Sequence, residues 1–99
     1  MTDLTVANTI VNQMGGMKRL RLMVGADKFV GDANGVQFSF KGNRTMNRAR
    51  IDLNGLDLYD IAFWKFGKSS FDKISEHTNV YFDQLIDFFE SETGLYLSL

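Results

Sequence analysis

Three aspartates, Asp52, Asp57 and Asp60, crowd around an Asn54-Gly55 pair. Neighbouring carboxylates can hold Mg²⁺ or move protons. Aspartate beside a turn more often accepts bonds from local backbone N–H groups, and that reading is preferred here. His77 is the single histidine, next to Glu76 and near Asp83. One imidazole in a chain without cysteine is a poor start for a transition-metal site, so a surface or cap-proximal histidine is expected. Asp83 and Asp87 stand four apart and could share a cation, but solvated carboxylates are the simpler reading. There is no G-x-S-x-G elbow, Walker loop or dinucleotide fingerprint. Gly15-Gly16 reads as a helix stop and not as a phosphate cradle. The residues therefore point to no catalytic, cofactor or metal site, and to a chain that is not an enzyme.

Charge offers more than catalysis does. Arg19, Arg21, Lys41, Arg48 and Arg50 form a candidate nucleic-acid or partner face, with Gln37 and Ser39 as hydrogen-bonding neighbours. Single strands also need exposed rings for stacking. Phe38 and Phe40 fall with the core residues in this pattern, which leaves Tyr59, Phe63 or Trp64. A solvated face laced with cross-strand ion pairs is the plainer alternative. Asp83, Asp87 and Glu90 form a candidate acidic partner face, with Glu92 beside it. All 11 Lys and Arg lie between Lys18 and Lys73, among six acids. From Ile74 onward there are five acids and no Lys or Arg. Two surfaces of opposite sign are expected.

With 99 residues there is room for one domain, residues 1–99, around one core. Composition is that of an ordinary globular protein, 44% hydrophobic and 23% charged, and nine Phe supply much of the core volume. Without cysteine there is no disulfide, which permits an intracellular home. Proline is also absent, so Gly and Asn must make the turns. No apolar run approaches the roughly 20 residues that span a bilayer, so no membrane association is expected. No basic segment leads into an apolar one near Met1, so no secretory signal is expected.

These residues must be positioned by elements the pattern can outline. Residues 48–66 are the centre. Ala49, Ile51 and Leu53 alternate with Arg50, Asp52 and Asn54, as a half-buried strand does. Asn54-Gly55 turns the chain. Leu58 to Phe66 then resumes, with Tyr59, Ile61 and Phe63 on one side and Leu58, Ala62, Trp64 and Phe66 on the other. A strand apolar on both faces is expected to be central. Before this pair, Thr2 to Met14 reads as an amphipathic helix, and Lys18 to Val24 as a strand with Arg19 and Arg21 outward. Phe29-Val30 reads as a small strand, Gly31 to Gly35 as a turn, and Val36 to Lys41 as a strand. After it, Phe71 to Glu76 reads as a weaker strand. Asn79 to Ser91 reads as a helix capped by Thr78 or Asn79, with Tyr81, Leu85, Phe88 and Phe89 on one face. Leu95 to Leu99 is apolar enough to pack on the sheet, the helix or a second copy. Short Gly/Asn turns favour antiparallel neighbours. The expected fold is α+β: an antiparallel sheet of four to five strands, with N- and C-terminal helices packed on one face.

Several blocks together resemble a family. They are Thr9-Ile10 with Gln13 to Gly16, Met23 to Ala26 with Phe29, and Asn47 through Asp60 with its LNGLDLYD core. Asn79-Val80-Tyr81 with Asp83 and Leu85, and Phe89-Glu90 with Thr93 to Tyr96, complete the pattern. It is similar to a family of small proteins carried by bacteriophages and integrative mobile elements, without an assigned function. Relatives in that family are longer between Phe66 and the last helix. The resemblance implies a bacterial cytoplasm and an accessory role. The expected function is a non-enzymatic protein that binds a host protein or itself, possible homodimer included, with nucleic-acid binding through the basic face as the alternative.

Overall fold

Alternation between buried and outward side chains builds the sheet. The computed structural model describes residues 4–97. Five strands run in order: β1 (Asp27–Gly31), β2 (Gly35–Ser39), β3 (Arg48–Leu53), β4 (Tyr59–Phe66) and β5 (Phe71–Val80). Each pairs antiparallel with its sequence neighbour, so the sheet is a simple meander. Val36, Phe38, Ala49, Ile51, Tyr59, Ile61 and Phe63 are all buried on one face. Gly35 is forced by the register. A Cβ there would collide with the Ile51 carbonyl oxygen of the adjacent strand.

Three helices cover that face: α1 (Thr5–Gln13), α2 (Met17–Val24) and α3 (Leu85–Thr93). The α1 helix buries Ala7, Ile10 and Val11 and stops at Gly15-Gly16, as expected. The expected start at Thr2 lies outside the described residues.

The strand expected over Lys18–Val24 is instead α2. Its alternating Leu20, Leu22 and Val24 also fit a helix, because Leu20, Met23 and Val24 keep the i, i+3, i+4 spacing. Leu20 and Val24 are buried, while Leu22 is 78% exposed. Met, Lys, Arg and Leu are good helix formers. Gly25 then closes the helix in the left-handed region, where its N–H donates to the Arg21 carbonyl and that of Ala26 to the Leu20 carbonyl.

The last helix also begins later than expected. Asn79 does not cap it. The β5 strand continues to buried Val80, well beyond the expected Glu76. Asn79 takes a left-handed φ of 59°, and its N–H donates to the Asp60 carboxylate. A 3₁₀ turn at Phe82–Gln84 leads into α3. Leu85 and Phe89 are buried, as the helical face predicts, whereas Tyr81 lies outside the helix and is exposed. Gly94 ends α3, and the segment after it folds back onto its own core. Leu95 packs against the core, and buried Leu97 donates its N–H to the Glu90 carboxylate. Ser98 and Leu99 lie outside the described residues.

The core centres on rings. Phe89 meets Phe40 at 5.3 Å between centroids, and both Phe38 and Phe63 at 6.1 Å. Such contacts add to the area each ring removes from water. Phe89→Ala should therefore lower unfolding free energy by about 3–5 kcal/mol. Urea unfolding checks this. A loss below about 1 kcal/mol would show that α3 is not what holds the layers together.

Candidate nucleic-acid interface

The helices leave the second face of the sheet uncovered. The expected basic sheet face is only partly assembled there. Arg19 and Arg21 belong to α2, in the helical layer, where the Arg21 guanidinium lies 5.7 Å from the Phe29 ring. Lys41 follows β2, exposed, and its N–H donates to the Val24 carbonyl at the end of α2. Arg48 and Arg50 are on the outer face, as their alternation with buried Ala49 and Ile51 requires.

Arg50 is spoken for. Its guanidinium nitrogen lies 2.6 Å from Asp52 Oδ1 and 2.9 Å from Asp32 Oδ2, and its Nε donates to Asp52 as well. The bond to Asp52 raises Arg50's pKa above its ordinary value, burial opposes this, and the bond to Asp32 adds to it. Asp32 is held below the usual carboxylate range. The Asn34 N–H is the main cause, followed by Arg50 and the Gly35 N–H.

The rest of the aspartate group also serves the architecture. Asn54 Oδ1 accepts the N–H groups of Leu56 and Leu58, while its Nδ2 donates to Asp60 and to the Asn79 side chain. Asp60 and Asp52 sit opposite each other across β3 and β4. Arg50 offsets the charge on one side, and the Asn54 amide and Asn79 N–H satisfy the other. Asp57 takes the left-handed turn conformation with φ 59°. Among the described residues no three His, Cys, Asp or Glu side chains gather as a metal site.

His77 lies on the helical side of β5, with its side chain 38% exposed. Its Nε2 contacts Glu92 Oε1, and its ring packs 5.3 Å from Phe88. Ser75 Oγ bonds the same Glu92 oxygen at 3.3 Å. The carboxylate stands in the middle of this trio. Nucleophilic catalysis needs the imidazole between hydroxyl and carboxylate, so the arrangement ties β5 to α3 and lacks the order for serine activation. In the acidic face, Glu90 is used by Leu97, while Asp83 and Asp87 are exposed beside exposed Tyr81 and Phe82.

What remains on the outer face is aromatic and cationic. Trp64 and Phe66 project from β4, and Phe71 pairs with Phe66 across the β4–β5 hairpin. The rings form one cluster: Trp64 to Phe66 6.2 Å, Trp64 to Phe71 6.1 Å, Phe66 to Phe71 5.6 Å. The Arg48 guanidinium lies 4.3 Å from the Phe66 ring, and Lys73 Nζ 5.3 Å from the Trp64 ring. Phe71 is 67% exposed and Phe66 36%. Arg48 Nε is shielded from solvent and has no hydrogen-bond partner. Asn47 fixes this end: its side chain accepts the Phe66 N–H and donates to the Phe66 carbonyl. Lys65, Lys68 and Arg44 stand on the segments that bound the cluster, with Asp72 the acid among them.

Of the rings the sequence offered for stacking, Tyr59 and Phe63 are buried and only Trp64 is on this face. Phe66 and Phe71 complete the platform. The signal for them was the even spacing of Trp64 and Phe66, together with Phe71 just beyond a short Gly-Ser turn.

Compared with known proteins, the chain matches no family model, no curated protein and no solved structure. No helix among the described residues is long and apolar enough to cross a membrane.

The lowered pKa of Asp32, set first by the Asn34 N–H and then by Arg50, has a definite pH signature. A carboxylate whose pKa is lower folded than unfolded stabilises the fold above its unfolded value, about 3.9. That contribution disappears as pH falls through the lower, folded value. Acid unfolding of the native chain should therefore steepen below about pH 4. Asp32→Asn should flatten that segment and leave the neutral region nearly parallel. Identical acid profiles for both proteins would refute the assignment.

Proposed function

We propose that the chain is a non-enzymatic binding protein, with single-stranded nucleic acid as its ligand. The observation that carries this reading is the outer-face cluster of half-buried Trp64 with exposed Phe66 and Phe71, and Arg48 and Lys73 against its rings. Unpaired bases present π-faces that stack on such rings, and cations beside them neutralise phosphates. A duplex hides its bases and would gain only the charge contacts. The opposite end of the same sheet face carries Asp32, Asp52 and Asp60, with Arg50 consumed among them. A polyanion is repelled there and directed to the hairpin end. The phage or mobile-element setting implied by the resemblance accommodates such an accessory role.

A protein partner is the second reading. It draws on the acidic surface of Asp83 and Asp87 with Tyr81 and Phe82, which are 57% and 62% exposed. Exposed rings among charges are typical of interface anchors.

Trp64 is the chain's only tryptophan, so its fluorescence reports the site directly. Titration with oligothymidylate or oligouridylate at low salt should quench it, with affinity falling as salt rises. Trp64→Ala and Phe71→Ala, followed by anisotropy of a labelled strand, should each cost about 1–3 kcal/mol of binding. Arg48→Ala should also reduce the salt slope. Arg19→Ala and Arg21→Ala, on the helical layer, should change neither. Absence of binding at low salt refutes the nucleic-acid reading. Equal losses from the α2 arginines would move the site to the other side of the molecule.

A further inference from the structure

The β5 strand has a hydrogen-bonding neighbour on one side only. β4 pairs with it from Phe66↔Phe71 to Tyr59↔Val80, and its other edge closes the sheet order. At ten residues it is twice the length of β1, the opposite edge strand. An open edge is a template for another strand, and natural proteins often blunt it with charged residues. Asp72, Lys73 and Glu76 are such residues, but their placement has a second property.

The pairing with β4 slips twice, near its Tyr59 end and again in the middle of the hairpin. Phe63 opposes Ser75, whereas Trp64 opposes Lys73, so Ile74 is an extra residue in β5. In a regular strand, residues three apart point to opposite faces. Here the bulge puts Lys73 and Glu76 on the same outer face, opposite Trp64 and Ala62, with their charged ends 3.3 Å apart. Asp72 and His77 correspondingly share the other face, opposite Lys65 and Ile61. Fold the strand about its bulge and the sequence is complementary to itself in charge and in facing.

We infer that β5 is a self-pairing edge, on which a second copy of this chain docks antiparallel across a two-fold axis. Lys73 then faces the partner's Glu76, and Asp72 faces the partner's His77. Each pair occurs twice, as a symmetric interface requires. The main chain supplies the bonds, and the charges select the register. A parallel or slipped arrangement loses the match, because it sets Glu76 against Glu76 or turns outer residues inward. The two sheets become one continuous sheet whose outer face carries both aromatic clusters. This inference is independent of the ligand reading, since it concerns the free protein.

Charge exchange tests it without nucleic acid present. Sedimentation or light scattering of the native chain at high micromolar concentration should report a dimer. Lys73→Glu places like charges opposite each other at both symmetry-related positions, and so does Glu76→Lys. Each variant alone should associate about tenfold more weakly or not at all. Both side chains are exposed, so each variant should keep the native circular dichroism. An equimolar mixture of the two variants should recover the dimer, because every position then meets an opposite charge. A monomeric native chain overturns the proposal. So do variants that dimerise as well as the native chain, and a mixture that stays monomeric.

Discussion

Phe89 is where the two layers of the molecule become one. Its ring lies against Phe38, Phe40 and Phe63, which come from β2, the segment just after it, and β4. β3 lies between these two strands in the sheet, and Phe89 bridges them from the helical side. Once α3 is seated there, Glu92 is delivered to Ser75 and His77, and Thr93 presents its carbonyl to the Asn43 side chain. Asn43 in turn accepts the N–H groups of Thr45 and Met46, which shapes the loop leading to Asn47. Asn47 holds the backbone of Phe66. A chain of contacts thus runs from the core ring to the exposed cluster on the far side of the sheet. The outer platform is thereby tied to the filled core.

The period-2 pattern made β2, β3 and β4 legible, since burial on one face enforces strict alternation. Asn54-Gly55 was legible as a turn for a related reason: the local bonds of Asn54 close it whatever packs nearby. α2 was not legible as a helix. Leu20, Leu22 and Val24 satisfy alternation, while Leu20, Met23 and Val24 satisfy helical spacing, and eight residues are too few to separate the two periods. What decides is the pair of glycines at its ends, which close a helix but would be unremarkable around a strand. The junction after β5 failed for the opposite reason. Thr78 and Asn79 are good caps by type, yet tertiary bonds from Asp60 and Asn54 hold Asn79 at the end of a strand.

The same physics explains the candidate site. Arg19 and Arg21 left the expected face as soon as their segment became helical. Arg50 kept its place but not its freedom, because Asp32 arrives from a turn eighteen positions away and no local pattern announces it. Trp64 was one of three rings offered for stacking, from both faces of a strand apolar on each side, and Phe71 sat in a segment read as weak. Its meaning comes only from pairing with Phe66. A strand apolar on both sides usually means cover on both sides. Here only one face is covered, and the unmatched apolar side is the clue to binding.

The Asn54 side chain has one more consequence. An asparagine followed by glycine, as here and at Asn34-Gly35, is a chemically labile unit, because the glycine nitrogen can attack the amide and release ammonia. The product is a carboxylate or an isomerised backbone. At this position the lost NH₂ is the group that donates to Asp60 and to Asn79. Ageing would therefore replace a donor with a negative charge aimed at Asp60, close to Asp52 on the adjoining strand. The hydrogen-bond hub that fastens the β3–β4 turn to the end of β5 is thus also a site of slow chemical ageing.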